Sequence, residues 1–290
     1  MGVAGVTSLR IHTFLMPRLS PTLSPVMAEL FDRLRRAGCI VSWSIGEHET
    51  YQPDALRPEH DLYLLKSQAP AALSIAAVLH AQGAQILNPS PACAAAQDKV
   101  VATHRLAAFG VPLPRTWASG QPARLAPVVD RGPLVAKPFN GYHGTGVSFV
   151  RGANELVTLP DGDVAVLVQA RLAGADDLKV YVIGDEVFAV RKQFDPTSHG
   201  RTGRPVPVGA EVRNVALRCG AAFGFGLYGV DLVETADGPV VIDVNHFPGY
   251  KGVPDAAERL CRYVLAYADG NVQLALPRLP VCRAMAGLHE

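Results

Sequence analysis

Several features that would mark a special class of protein are absent from these 290 residues. The 27 basic residues nearly balance the 26 acidic ones, and a net charge of +1 provides no field that would attract nucleic acid or an anionic membrane. No apolar run approaches the roughly 20 residues of a membrane span. Residues 1–10 also lack the charged start and long apolar stretch of a signal peptide. We therefore expect a globular, cytoplasmic protein with no nucleic-acid or membrane partner.

Cysteine and lysine are both scarce. The five cysteines are scattered, odd in number and without C-x-x-C spacing, which argues against a disulfide framework or a zinc site and fits a reduced compartment. There are six lysines against 21 arginines. Most of the lysines adjoin glycine-rich or acidic segments, and the six are Lys66, Lys99, Lys137, Lys179, Lys192 and Lys251.

Hydrophobic periodicity predicts alternating strands and helices in the first part of the chain. The predicted strands are residues 9–15, 39–44, 61–65 and 85–87, and the predicted helices are residues 25–37 and 71–82. This β-α-β alternation is typical of a parallel sheet covered by helices. A further helix is predicted with Ser90 as its N-cap, Pro91 in its first position and its end at Gly110.

Beyond residue 120 the pattern changes to strands and turns. We predict strands at residues 134–137, 147–150 and 164–170, a hairpin of residues 178–183 and 187–192, and helices at about 210–223 and 254–268. Residues 194–208 are rich in proline, glycine and arginine without periodicity, which predicts a loop over a site. The chain is thus an α/β protein with three expected parts, residues 1–89, 90–173 and 174–290.

Two apolar strands around an Asp-Gly turn carry polar residues where apolar ones are expected. A three-residue loop centred on Asp237 would set Asp231 opposite Asp243, with Asn245 on the same face two residues later. Like charges directly opposite each other destabilise a sheet, and a bound cation would remove the repulsion. Carboxylate and amide oxygens suit Mg²⁺. A two-residue turn at 237–238 is the alternative register, and it would place the acids on different faces.

A lysine followed by a glycine-rich segment predicts a phosphate-binding element. Lys137 ends an apolar run, and Gly141, Gly144 and Gly146 follow within a few residues. Glycines let backbone N–H groups converge on anionic oxygens, and the lysine adds a positive charge. The order of residues matches neither a Walker loop nor a G-x-G-x-x-G dinucleotide site. Further on, an apolar strand turns polar at Gln169, where backbone groups can meet the edge of a base.

The order of these elements resembles that of ATP-grasp enzymes over roughly residues 85–260. The matching segments are Asp98-Lys99, Lys137-Pro138 with the glycine loop, Gln169–Leu172, Asp177–Asp185, Gly229–Asp231 and Asp243–Asn245. The resemblance implies two α+β subdomains that clamp ATP and two Mg²⁺ ions. Residues 1–89 would then be a Rossmann-like pre-ATP-grasp domain, residues 90–173 the lid, and residues 174–290 the subdomain with the metal site.

The resemblance also implies a role for each matching residue. The phosphates would be bound by Lys99, Lys137, Lys179, Gly141, His143, Gly144, Thr145 and Gly146. The adenine-binding linker would be Gln169, Ala170, Arg171 and Leu172, and Asp177 would lie near the ribose. The metal ligands would be Asp231, Asp243 and Asn245.

Two branches of the superfamily compete. The Gly-Thr-Gly loop, the hairpin at residues 182–187 and the Asp-Val-Asn segment resemble RimK-type carboxylate–amine ligases. That resemblance implies an acyl phosphate and release of ADP, with Lys179, Arg191 and Lys192 as catalytic cations. The segment from Asn245 to Tyr250 instead resembles a segment of inositol trisphosphate 5/6-kinases. Residues 61–66 are similar to another element of the same kinases.

The kinase alternative implies a pocket for a polyanionic substrate. The residues expected to bind the substrate are Lys66, His143, Lys192, Arg201, Arg204, Asn245, Gly249 and Lys251. In either branch the expected partner is a small-molecule substrate. The protein could also form a homodimer. A scaffold protein that has kept the fold without turnover is the third alternative.

Overall fold

The computed structural model describes residues 8–17, 23–139, 147–156, 166–172, 178–191 and 203–280. Within these ranges the strands are β1 (Arg10–Leu15), β2 (Ile40–Ile45), β3 (Leu62–Lys66), β4 (Ile86–Leu87), β5 (Thr116–Ser119), β6 (Leu134–Pro138), β7 (Ser148–Val150), β8 (Val166–Ala170), β9 (Leu178–Ile183), β10 (Glu186–Arg191), β11 (Arg204–Val206), β12 (Leu227–Thr235) and β13 (Gly238–His246). The α-helices are α1 (Pro25–Arg36), α2 (Pro70–Ala81), α3 (Ser90–Gln97), α4 (Lys99–Ala108), α5 (Ala126–Val129), α6 (Ala153–Leu156), α7 (Ala210–Phe223) and α8 (Ala256–Ala268). None of the helices in these ranges is both long and apolar enough to cross a lipid bilayer.

The first sheet is parallel, as the β-α-β alternation predicts. Its strand order is β2-β1-β3-β4. Helix α1 begins at Pro25 because the hydroxyl of Ser24 accepts a hydrogen bond from Met27 N at 3.4 Å, and the proline sets the first helical turn. The helix buries Leu30 and Leu34 against the sheet.

The single helix predicted after Pro89 is in fact two helices, α3 and α4, and the break lies at Asp98. The backbone of Asp98 is extended, and its carboxylate accepts hydrogen bonds from Val100 N at 3.0 Å and Val101 N at 2.9 Å. Asp98 is therefore the N-cap of α4. The predicted N-cap was wrong, because Ser90 is the first helical residue of α3 and the preceding Pro89 makes no capping bond.

The second sheet has its own small core. It is antiparallel with the order β5-β8-β6-β7, and its strand β5 was not predicted. The buried residues between this sheet and its short helices are Leu125, Val129, Leu134, Ala136, Val150, Leu156, Val166 and Val168.

The third sheet is antiparallel with the order β11-β10-β9-β12-β13. Strand β11 lies in the part of the chain that was predicted to be a loop, so that prediction was wrong for residues 204–206. Helix α7 packs with Val180 and Val182 on one face, and helix α8 packs with Tyr181 and Ile183 on the other. Both of these cores also contain residues of the first sheet.

A buried asparagine joins the first sheet to the third. Asn88 is fully buried, its Nδ2 donates to Leu227 O at 2.7 Å, and its Oδ1 accepts from Gly226 N at 2.9 Å and Leu227 N at 3.0 Å. Each sheet lies within one of the three predicted parts of the chain. Helices α3 and α4, however, pack with α7 in the core of the third sheet, although the predicted division groups them with the second. The domain boundaries stay a prediction.

Candidate functional site

The β12–β13 hairpin places Asp231 opposite Asp243, but not by either predicted route. Its turn contains two residues, Ala236 and Asp237, where three were predicted. In a regular ladder this turn would set Asp231 opposite Ile242. A β-bulge shifts the register at this point, so that Ile242 becomes the extra residue and the two acids face each other.

Each acid is paired with a lysine from another element. Asp231 lies beside Lys179 on strand β9, and its Oδ1 is 2.8 Å from the Lys179 Nζ. Asp243 forms an ion pair with Lys99, the first residue of α4. Burial alone would raise the pKa of Asp243, but Lys99 and the other nearby lysines lower it below its ordinary value. Burial likewise would lower the pKa of Lys179, and the carboxylate of Asp231 raises it above its ordinary value.

A third lysine reaches the same place from the second sheet. Lys137 Nζ donates to Ile242 O at 2.9 Å. The acceptor belongs to the extra residue of the bulge, so the irregularity that aligns the acids also supplies a carbonyl to this lysine. Lysines from three separate elements thus surround one pair of carboxylates.

The amide of Asn245 lies between the two acids. Its Nδ2 is 3.4 Å from Asp231 Oδ2 and 3.2 Å from Asp243 Oδ2. The N–H group that bridges the two carboxylates occupies a position from which a cation could bind both of them. Carboxylate and amide oxygens are the hard ligands that Mg²⁺ prefers. The described residues contain no group of three His, Cys, Asp or Glu placed to hold a metal. The set of two acids and one amide nevertheless fits Mg²⁺ shared with the phosphates of a nucleotide.

Gln68 contacts the site, although it is not among the individual residues predicted from the sequence. It follows strand β3 of the first sheet, and its Nε2 donates to Asn245 Oδ1 at 3.0 Å although the two residues are 177 positions apart. The carboxyl ends of parallel strands commonly carry binding residues, and this was the one signal that could have indicated Gln68.

A pocket lies beside Asp243, between helix α4, strand β13 and the second sheet. Most of its lining residues are apolar, and the charged ones are Lys99, Lys137 and Asp243. The lining residues are Lys99, Ala102, Thr103, Leu106, Leu113, Lys137, Leu167, Gln169, Val241, Ile242, Asp243 and Val244. Apolar side chains together with two lysines supply the types of contact that a base attached to phosphates makes.

The segment predicted to bind the base is partly engaged within the protein. Gln169 is buried and lines the pocket, with its Nε2 3.5 Å from Thr116 Oγ1. Ala170 N donates to a backbone carbonyl at 2.8 Å, and Arg171 N donates to another at 2.9 Å. These two N–H groups are therefore occupied within the protein. The adenine-binding role of the four residues stays a prediction.

Two of the predicted cations are not brought to the acids. Arg191 is in register with Leu178, one residue beyond the row of Lys179 and Asp231, so strand alternation directs it to the other face of the sheet. There its Nη2 is 2.5 Å from a carboxylate oxygen of Glu234. Arg204 is exposed on the edge strand β11, three strands and roughly 14 Å from Asp231.

The other predicted substrate residues divide into two groups. Lys66 Nζ lies 5.7 Å from the ring centroid of Phe247, just past the end of β13, and the half-buried Gly249 and Lys251 follow in the same segment. The remaining predicted residues lie outside the described part of the chain, and they are Gly141, His143, Gly144, Thr145, Gly146, Asp177, Lys192 and Arg201.

Comparison with known proteins gives a consistent result. Residues 96–263 match a family model described as a RimK-like ATP-grasp domain. A probable alpha-L-glutamate ligase of Sodalis glossinidius (strain morsitans) is 33% identical over 192 residues, which cover 61% of this chain and 65% of that protein, just under two thirds of its length. A RimK domain ATP-grasp protein from Sphaerobacter thermophilus DSM 20745 has a similar structure, with a TM-score of 0.73 and 20% identity over 88% of this chain and 99% of the other. The ATP-grasp ligase PsnB, solved with a phosphomimetic variant of its minimal precursor, Mg and ADP, gives a TM-score of 0.64 and 18% identity over 90% of this chain and 98% of the other.

Proposed function

This chain belongs to the RimK-like ATP-grasp family, and we propose that it is an ATP- and Mg²⁺-dependent carboxylate–amine ligase that releases ADP. One observation supports the proposal above all others. Three lysines from separate elements meet two facing carboxylates and an amide, and Lys99, Lys137 and Asp243 of this group also line a pocket. Two of the three proteins compared above, the Sodalis protein and PsnB, are named as ligases, which favours ligation over the inositol or sugar phosphate kinase.

The proposed reaction has two steps. An oxygen of the substrate carboxylate attacks the γ-phosphorus of ATP, the bond from that phosphorus to the β–γ bridging oxygen breaks, and ADP leaves. The nitrogen of an amine then attacks the carbonyl carbon of the acyl phosphate, the bond from that carbon to the phosphate oxygen breaks, and the amine loses a proton to solvent. No side chain is bonded covalently to the substrate, so no nucleophilic serine or cysteine is needed.

The lysines supply the positive charge that phosphoryl transfer requires. Lys99, Lys137 and Lys179 would bind the phosphates and screen their charge as the γ-phosphoryl moves. Bound Mg²⁺, proposed as two ions held by Asp231, Asp243 and Asn245, would neutralise and orient the phosphates.

We do not assign Arg191 to the tetrahedral oxyanion, because it lies on the other face of the sheet and is paired with Glu234. The neighbouring Lys192 remains the candidate for that role. The substrate class that we propose is an amino acid or peptide carboxylate, in keeping with the glutamate ligase name of the Sodalis relative.

A trapping assay tests the reaction type. Mg²⁺-dependent ADP release is measured with two substrate pools, one of amino acids and small carboxylates with hydroxylamine, the other of inositol and sugar phosphates. A ligase is expected to release ADP and form a hydroxamate in the first pool, because hydroxylamine intercepts an acyl phosphate. ADP release in the second pool alone would establish a kinase and overturn the proposal.

The cation assignment predicts the effect of Asp243→Asn. The substitution keeps the shape of the side chain and removes one charge, so turnover is expected to fall by more than the ~100-fold that is typical when an outer partner of a metal site is lost. Thermal unfolding should change little. Asp237→Asn is the matched control, because Asp237 is exposed in the turn of the same hairpin. Activity of Asp243→Asn equal to that of the control would refute the metal role.

A further inference from the structure

The segment that follows strand β3 is fixed against the end of the β12–β13 hairpin. Ser67 is fully buried, and its carbonyl accepts a hydrogen bond from the Nε2 of the buried His246 at 3.0 Å. The Ser67 hydroxyl donates to Met16 Sδ at 3.2 Å, and Gln68 N donates to the same sulfur at 3.0 Å. The backbone of Gln68 is therefore held in place, which fixes the position of the atom from which its side chain extends.

The side chain of Gln68 is hydrogen-bonded to one end of the Asn245 amide, and the other end of that amide faces the acids. Gln68 Nε2 donates to Asn245 Oδ1 at 3.0 Å, which leaves the Asn245 Nδ2 directed at Asp231 and Asp243. In this orientation an N–H group lies between the carboxylates. To bind a cation there, the Asn245 amide must turn its oxygen toward the acids and its nitrogen toward Gln68.

A glutamine can pair with either orientation. Its amide carries donors on the nitrogen and an acceptor on the oxygen, so reversal of both amides keeps the bond between Gln68 and Asn245 with donor and acceptor exchanged. We propose that Gln68 is a positioning residue that holds the Asn245 oxygen toward a bound divalent cation. This inference rests on the proposed function, and it extends the cation site to a residue of the first sheet.

The test measures how strongly Mg²⁺ assists the binding of ADP. The dissociation constant of a fluorescent ADP is measured in EDTA and in excess Mg²⁺, and the ratio of the two constants reports the coupling between cation and nucleotide. Gln68→Met keeps the length of the side chain and removes the amide. We expect the ratio to fall about tenfold or to unity, as is typical when an outer partner of a metal ligand is lost, with the constant in EDTA unchanged. Gln82→Met, at an exposed glutamine after α2, should leave the ratio as in the wild type.

A double-mutant cycle tests whether Gln68 acts through Asn245. Asn245→Ala should lower the ratio, and the addition of Gln68→Met should then lower it no further, because the group that Gln68 positions is absent. If the two effects add, Gln68 acts by another route and the inference is overturned. Weaker ADP binding by Gln68→Met in EDTA would also overturn it, because a general disturbance of the pocket would then explain the loss.

The outcomes separate this inference from the proposed function. If Asp243→Asn lowers the ratio while Gln68→Met does not, the inference fails and the cation site stands. If Mg²⁺ does not assist ADP binding in the wild type, the inference and the proposed cation ligands both fail. The hydroxamate assay still decides independently whether the protein is a ligase.

Discussion

At the residue scale, the two aspartates of the hairpin are each neutralised by a lysine of the same chain. Lys179 faces Asp231, and Lys99 pairs with Asp243. Two carboxylates on adjacent strands would repel each other without these partners. The paired arrangement therefore lets the hairpin form as an ordinary part of the sheet before any ligand is bound.

His12 in the first sheet predicts a pH-dependent part of the stability. Its Nδ1 is 2.8 Å from Ser42 Oγ and its Nε2 is 2.9 Å from Ser44 Oγ. Burial, and then the charge of His60, lower the pKa of His12 from 6.5 to about 4. The unfolded chain therefore binds the proton more readily, so the stability contributed by neutral His12 is complete above about pH 6.5 and is lost as the pH falls toward 4.

We expect His12→Gln to reduce this pH dependence, because glutamine keeps a hydrogen-bonding amide and cannot be protonated. Urea unfolding at about pH 7 and about pH 4.5 measures the loss. The variant should lose less stability between the two values than the wild type. His48→Gln, at an exposed histidine, should behave as the wild type does. Equal losses in all three proteins would show that His12 does not titrate in this range.

The residues of the candidate site differ in how far they could be predicted. Asp231, Asp243 and Asn245 were indicated by their polar character on apolar strands, and their proximity is confirmed. Gln68 was not predicted, because its position after a parallel strand is the one signal in its favour, and nothing in the sequence indicates a contact with a residue 177 positions away. The roles of all four residues remain predictions.

At the element scale, helix α7 passes close over strand β12, and Gly220 makes the approach possible. An alanine inside a helix usually stabilises it by about 0.5–1 kcal/mol relative to glycine. Here a Cβ would lie 2.8 Å from Tyr228 Cε1 and closer still to the hydroxyl. Tyr228 is buried, and its hydroxyl donates to Ala216 O at 3.0 Å, so the ring cannot move without loss of that bond.

Gly220→Ala is therefore expected to destabilise the protein by ~1–3 kcal/mol, the usual range for an overpacked core. The urea midpoint should fall with little change in the slope of the transition. Gly120→Ala is the matched control, because a Cβ at Gly120 meets nothing within 4 Å. A variant as stable as the wild type would mean that α7 can shift away from the strand.

Periodic helices were predicted well, whereas the break between two consecutive helices was not. Helix α7 has the predicted bounds, and the first and last helices differ from the prediction by one or two residues. The break at Asp98 was missed because the apolar pattern continues through it, and only the capping bonds end one helix and start the next. That break matters for the site, since it makes Lys99 the first residue of α4.

At the scale of the whole molecule, the ATP-grasp fold that the resemblance implied is confirmed by the family match and the solved structures. The first and third sheets share their cores, whereas the second sheet has a separate one. Because its core of eight buried side chains is separate, we expect that sheet to unfold at lower denaturant than the other two. Periodicity predicted the strands but not which sheets share a core, because the cores contain segments that are far apart in the chain.

The two tryptophans of the sequence can test whether the second sheet unfolds separately from the first. Trp43 is in β2 of the first sheet, and Trp117 is in β5 of the second. In urea, Trp117 fluorescence of a Trp43→Phe variant should change at lower denaturant than Trp43 fluorescence of a Trp117→Phe variant. Circular dichroism of both variants checks that each replacement leaves the overall stability similar. Coincident transitions would show that all three sheets unfold as one unit.

The bulge at Ile242 also bears on how a hairpin of the same length can differ between this chain and a relative. A hairpin with a three-residue turn and a regular ladder would set the same two acids opposite each other. Such a chain would have the additional residue at the tip of the hairpin instead of beside the acids. Insertion of one residue at the turn together with deletion of Ile242 would therefore preserve the facing acids but remove the carbonyl that holds Lys137. An alignment by length alone would treat the two hairpins as equivalent, although only one of them fixes that lysine.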